Sequence, residues 1–139
     1  MQRHVGHPAH AIHPALAIAA PGMLAAGTAL DALAAGRDGA LPTLAFWSIA
    51  AGVAFGTWCA AWALVDWIFI AELANASVHG LRALATATVV ALYGLAVVLR
   101  LDSPTHPATA SAMALEVCAV ALLGVKAFLG SERGAWLSR

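Results

Sequence analysis

Four stretches of the chain are almost continuously apolar, and the polar residues collect between them. The runs cover residues 14–35 (PALAIAAPGMLAAGTALDALAA), 44–70, 79–99 and 109–130. Each is close to the roughly 20 residues that an α-helix needs to cross a hydrocarbon core of about 30 Å. The separators GRDGALP, AELANASV and RLDSPTHPA carry the Gly, Pro, Asn, Asp and Ser that punctuate helices. Period-two alternation is missing from the runs, and barrel strands would be segments of about ten residues. The pattern predicts an all-α integral membrane protein: one domain over residues 1–139, built as a four-transmembrane-helix bundle with both termini on the same side.

Composition sharpens this picture. Of the 139 residues 62% are hydrophobic and 10% charged, whereas a soluble domain carries about 25% charged residues. Formal net charge is zero, which removes any global electrostatic argument for nucleic acid. The first apolar run is longer than the roughly 7–15 residues of a signal-peptide core, and Arg3 is the one fixed positive charge before it, so the segment is expected to be retained. Cys59 and Cys118 fall at different depths of the bundle, which argues against a disulfide. With four crossings, Arg3, Arg82, Lys126, Arg133 and Arg139 fall on the terminal side and Arg37 and Arg100 on the other, so the basic excess predicts cytoplasmic termini. Phe46 and Trp47 at one end of the second helix, and Trp67 at the other, fit interfacial aromatic belts.

The second helix also carries Ser48, Gly52, Gly56 and Ala60 at strict four-residue spacing. Such a small-residue stripe lets two backbones approach closely in lipid. The contact is expected inside the bundle, with association between protomers as the alternative.

Threading the helices brings distant polar residues to common depths. His13, Asp66, Trp67, His79 and Lys126 fall at the terminal end, and Asp31, Arg100, Asp102 and Glu116 gather toward the opposite face. A charge at membrane depth is costly unless it snorkels or is paired. Asp66 with Lys126 reads first as an ion pair between helix ends, and Asp31 and Glu116 have Arg100 as their obvious partner. His106 lies in a Pro-flanked loop and is expected to be solvated. His7 and His10 precede the span and are peripheral. Trp58 and Trp62 are one turn apart, a spacing that means packing or, alternatively, a flank for a planar cofactor.

His13 and His79 begin parallel helices at matching depth. In a four-helix ring, helices one and three are diagonal partners, and bundle cores are where facing helices hold cofactors. Two neutral imidazoles across a bundle can ligate a haem iron axially, so His13 and His79 are candidate ligands of a b-type haem or of a metal ion. Arg82, three residues after His79 and on the same helix face, is the candidate for a haem propionate. Asp66, Trp67 and Lys126 would surround the site, with Asp66 accepting an imidazole's second N–H. The competing reading makes both histidines headgroup anchors.

These residues resemble a bacterial membrane family, domain of unknown function 2231. Its pattern opens with a GHPxHP-like element running into the first helix, followed by a proline, and has an aspartate near that helix's end. An Asp-Trp pair closes its second helix and a histidine opens its third. Here the matching residues are Gly6, His7, Pro8, His13, Pro14, Pro21, Asp31, Asp66, Trp67 and His79, and the resemblance runs from Gly6 to about Gly130. The family commonly has a further histidine inside the first helix, in an HPxLVHFP-like run. This chain reads HPALAIAAP, with Ile18 at that place and Pro21 displaced by one residue, so a role carried by that histidine is lost or moved. Some members are fused to Rieske-type iron–sulfur domains, which implies a neighbourhood of membrane electron transfer in the bacterial inner membrane.

No nucleophile with an adjacent base, no CxxC, no HExxH and no glycine-rich phosphate loop occurs, so the reading leans away from an enzyme. The expected function is a subunit or anchor of a membrane redox assembly, with the lipid bilayer, other membrane subunits or a second copy as partners. The alternatives are a purely structural subunit or assembly factor without cofactor and, third, an oligomeric small transporter.

Overall fold

The structure is a computed structural model that describes residues 9–69 and 76–137, with side chains described for 18–62, 64–65, 80–81 and 83–127. These residues form four α-helices and no strand: α1 (Ala9–Leu33), α2 (Ala40–Phe69), α3 (Ala76–Val98) and α4 (Ala110–Leu137). Alanine, the strongest helix former, is the commonest residue in all four. α1 begins at Ala9 rather than at Pro14, which places His13 inside the helix instead of at its mouth. α4 runs on to Leu137, past the apolar run that ends at Gly130.

Glycine and threonine set the ends at the loop side. Ala34 N donates to Leu30 O at 2.8 Å, and Gly36 then takes φ 72°, the left-handed turn that commonly ends a helix. Thr109 caps α4, its hydroxyl accepting from Ala112 N at 3.3 Å. α3 closes with tightened turns in which Arg100 N donates to Val97 O at 3.0 Å.

The helices form a ring in chain order. α1 packs on α2, α2 on α3, α3 on α4 and α4 back on α1; the α1–α2 seam is the most extensive and α1–α4 the least. α1 and α3 are therefore diagonal. The α1–α2 and α3–α4 connections meet at one end, where Gly39 N donates to Thr105 O at 3.2 Å and His106 Nδ1 lies 3.2 Å from Asp38 Oδ1. Leu24, Ile49, Val89, Tyr93 and Ala119 make the core.

The outside of the ring is apolar. Ile18 and Leu33 on α1, Trp47, Trp58 and Trp62 on α2, Leu81 and Leu84 on α3, and Val117 and Val125 on α4 are all exposed. Two stretches among the described residues, Ala40–Trp62 and Ala110–Ala127, are long and apolar enough to cross a membrane; those of Ile18–Leu33 and Ala83–Val98 are shorter. Phe46 departs from the expected aromatic belt. It is buried, with the Trp47 ring edge-on at 5.4 Å, while Trp47 alone faces outward. Cys59 and Cys118 are both free thiols.

Candidate functional site

The buried charges are where the bundle departs from simple apolar packing. Among the described residues, Asp31, Arg100 and Glu116 are the buried charged side chains, at 0%, 3% and 0% exposure. Asp31 comes from the last turn of α1, Arg100 from the tightened turn after α3, and Glu116 from the second turn of α4. Three separate elements thus deliver one guanidinium and two carboxyl groups to one point under the paired loops.

Arg100 organises the group. Its Nη1 lies 2.5 Å from Asp31 Oδ2 and 3.8 Å from Glu116 Oε1. The first is a short charge-assisted hydrogen bond; the second is too long for one. Nη2 donates to Pro42 O at 3.2 Å and, more weakly, to His106 O at 3.5 Å. The guanidinium carbon sits 5.7 Å from the centroid of the Phe46 ring, a cation–π contact that explains why this aromatic is turned inward. α2 therefore contributes a carbonyl and a ring but no charge.

Hydrogen bonding around the triad is incomplete. Asp31 Oδ1, Arg100 Nε and both oxygens of Glu116 have no hydrogen-bond partner. Most buried polar atoms do have one, because an unmet buried donor or acceptor keeps its full desolvation cost. Glu116 stands out: it is fully buried, with neither carboxyl oxygen hydrogen-bonded.

Beside the triad, a hydroxyl pair links the diagonal helices. Thr28 Oγ1 donates to Leu24 O at 3.1 Å and lies 2.9 Å from Tyr93 Oη, which also reaches Leu24 O at 3.4 Å. Each hydroxyl has one hydrogen and two acceptors in reach, Leu24 O and the other hydroxyl, so either can donate between the two. Tyr93 and Thr28 went unnoticed in the sequence. A lone tyrosine and threonine in apolar runs give no signal until the helices are placed.

The four polar residues expected at this end divide: Asp31, Arg100 and Glu116 come together, whereas Asp102 is exposed. His106 is 64% exposed, its ring turned to Asp38 and its carbonyl to Arg100. At the opposite end, His13 lies on α1, Asp66 and Trp67 on α2, and His79 and Arg82 on α3; their side chains lie outside those described. Lys126 Nζ donates to Thr86 Oγ1 at 2.5 Å. Trp58 and Trp62 both face outward. Among the described residues no group of three or more His, Cys, Asp or Glu is arranged to hold a metal ion.

The small stripe of α2 meets two different neighbours. Ser48 Oγ donates to Met23 O of α1 at 2.9 Å. A Cβ on Gly52 would fall 2.7 Å from Leu24 Cδ2 and 3.2 Å from its backbone N; one on Gly56 would fall 2.9 Å from Val90 Cγ2 of α3. Ala60 lines a crevice of about 380 Å³ between α2 and α3.

Comparison with known proteins agrees with the helical, outward-apolar architecture. The family described as a predicted membrane protein, domain of unknown function 2231, matches residues 9–136. The chain belongs to that family. No curated protein and no solved structure matches it.

Proposed function

We propose that this protein is a four-span integral membrane subunit that works through its outer surface, as an anchor within a membrane assembly. The observation that carries this reading is the inversion of polarity: large apolar side chains on the outside of every helix, charges at the centre. Contiguous exposed apolar surface of this extent marks contact with lipid or with partner helices. The shorter apolar segments of α1 and α3 cross beside their longer neighbours by packing against them, as tilt and local bilayer adjustment allow.

On this reading the assembly belongs to membrane electron transfer in the bacterial inner membrane, which the resemblance to relatives fused to Rieske-type domains supports, and the basic excess on the terminal side supports cytoplasmic termini. One arrangement in the fold favours the finer redox reading. His13 and His79 sit on the diagonal helices α1 and α3, at the end away from the paired loops, which is where a bis-histidine haem or metal site would be held.

Purification in mild detergent, with an absorption spectrum, metal analysis and identification of co-purifying membrane proteins, tests both levels. A Soret band that disappears in His13→Ala and His79→Ala is the outcome expected of the haem-bearing form. Co-purifying redox subunits without such a band leave the anchor role standing and remove the cofactor. Extraction from membranes by high salt or alkali, without detergent, would overturn the membrane-spanning reading itself.

A further inference from the structure

The charges of the Asp31–Arg100–Glu116 group do not balance. Two carboxylates and one guanidinium leave the site one negative charge in excess, with no side-chain exposure above 3%. Among the described residues, the groups packed around it supply no compensation. α1 contributes Asp31 and the Thr28 hydroxyl, α2 the Pro42 carbonyl and the Phe46 ring, α3 Tyr93 and α4 Glu116. From the connection after α3 come Arg100 itself and the His106 carbonyl, while the His106 ring is turned to exposed Asp38 and Asp102 is exposed. An uncompensated charge in so apolar an interior is among the most expensive arrangements a protein can hold.

We propose that this group is a proton-binding site: one proton from solution bonds to a carboxyl oxygen of Glu116, so that the closed site is neutral with Asp31 and Arg100 ionised. On binding, one O–H bond forms and the net charge of the group goes from minus one to zero; no bond in the chain breaks. Geometry chooses Glu116 over Asp31. Asp31 Oδ2 has Arg100 Nη1 at hydrogen-bond distance, whereas Glu116 is 3.8 Å from the same nitrogen and has both oxygens unbonded. The carboxylate with the closer cation keeps its charge. A proton also needs no cavity, and with it Glu116 gains an O–H donor that Asp31 Oδ1, an unpaired acceptor in the same group, can receive. The site lies under the paired loops, with Arg100 touching the His106 carbonyl of the exposed connection, so its route to solution is on the loop side.

Infrared spectroscopy of the detergent-purified protein reads this directly, through the carbonyl stretch of a protonated carboxyl. The wild type should show that band at neutral pH, and ¹³C-labelling of glutamate should shift it. The band should vanish in Glu116→Gln. It should vanish equally in Asp31→Asn, because one guanidinium then faces one carboxylate and the proton is no longer needed. Absence of the band in the wild type, its insensitivity to labelled glutamate, or its persistence in Glu116→Gln would each overturn the proposal. So would a wild-type melting temperature that responds to sodium or lithium at constant pH without any such band, because a metal cation would then be the balancing charge. Where a variant does not fold, the labelled wild type decides alone. None of these readings depends on a partner assembly or a haem.

Discussion

The two halves of one helix face show how little a stripe of small residues decides by itself. Ser48 and Gly52 close against α1, with a hydrogen bond to Met23 O and the Leu24 side chain seated where a Cβ would be. From the other side of the same seam Gly27 admits Ile49 and the Ala45 carbonyl. Further along α2, Gly56 meets Val90 of α3 and Ala60 opens onto the crevice shared with Gly80, Ala83 and Ala87. About 18 Å of helix separates Ser48 from Ala60 at 1.5 Å per residue, and over that length the packing changes from interlocked to open. The difference lies in what the neighbour presents. α1 offers a large side chain, Leu24, to a glycine; α3 does so once, with Val90 at Gly56, and beyond that point sets Gly80, Ala83 and Ala87 beside Leu84 against Ala60 and Ala61. Small facing small leaves a gap; large facing small fills it. The interlocked half is also the half that holds the buried charges, so the paired-loop end is the fixed end of the bundle.

Removing the guanidinium should break that fixed end most severely. Arg100→Leu leaves Asp31 and Glu116 buried without their cation and Pro42 O without its extra donor. Stripping one partner from a buried ion pair costs about 3–5 kcal/mol. A chemical-denaturation or thermal series in detergent should show a loss of that size, or failure to accumulate, against Arg37→Leu as control. Arg37 is exposed and its side chain donates to the Leu33 carbonyl at 3.1 Å, so its replacement should leave stability within about 0.5 kcal/mol. Equal effects of the two would mean that the buried triad does not hold the loop end together.

A smaller loss is expected from wedging the interlocked seam. Gly52→Leu must displace both the Leu24 side chain and its backbone, and overpacking of this kind typically costs about 1–3 kcal/mol. The matched control is Gly124→Leu on α4, whose Cβ would meet nothing within 4 Å. Size-exclusion and melting measurements on the pair separate close packing from a general dislike of leucine. If Gly124→Leu loses as much as Gly52→Leu, the closeness of α1 and α2 is not what stability depends on.

Much of this was readable from the chain alone, for identifiable reasons. Four apolar runs and their Gly/Pro punctuation predict four helices, and short connections predict the ring order that places α1 opposite α3. The Asp31–Arg100–Glu116 association follows from threading depth and from the cost of a lone charge in an apolar layer. Helix ends were less legible. Alanine continues a helix as readily as it fills a membrane span, so hydropathy does not mark where α1 starts at Ala9 or where α4 ends at Leu137. The inward turn of Phe46 was hidden because a belt residue and a cation–π partner have the same sequence. Gly27, Thr28 and Tyr93 were missed because their roles depend on the neighbour across the seam.

The smallest effect should come from filling the open half. Ala87 is exposed and lines the α2–α3 crevice with Ala60, Ala61 and Leu64. Leucine is nearly as good a helix former as alanine, and the added methyl groups enter space that the structure leaves open, so no side chain or backbone has to yield. Ala87→Leu should therefore change stability by no more than about 0.5 kcal/mol in either direction, although it adds the same side-chain bulk over alanine that is so damaging on the interlocked side. The informative comparison is the double variant with Gly52→Leu. Residues on different seams with no shared partner contribute additively, to within about 0.3–0.5 kcal/mol. Additivity in a melting series would show that the two halves of α2 respond separately. A loss well beyond the sum would mean that the crevice closes when the α1 seam is wedged apart, tying the open half to the fixed one.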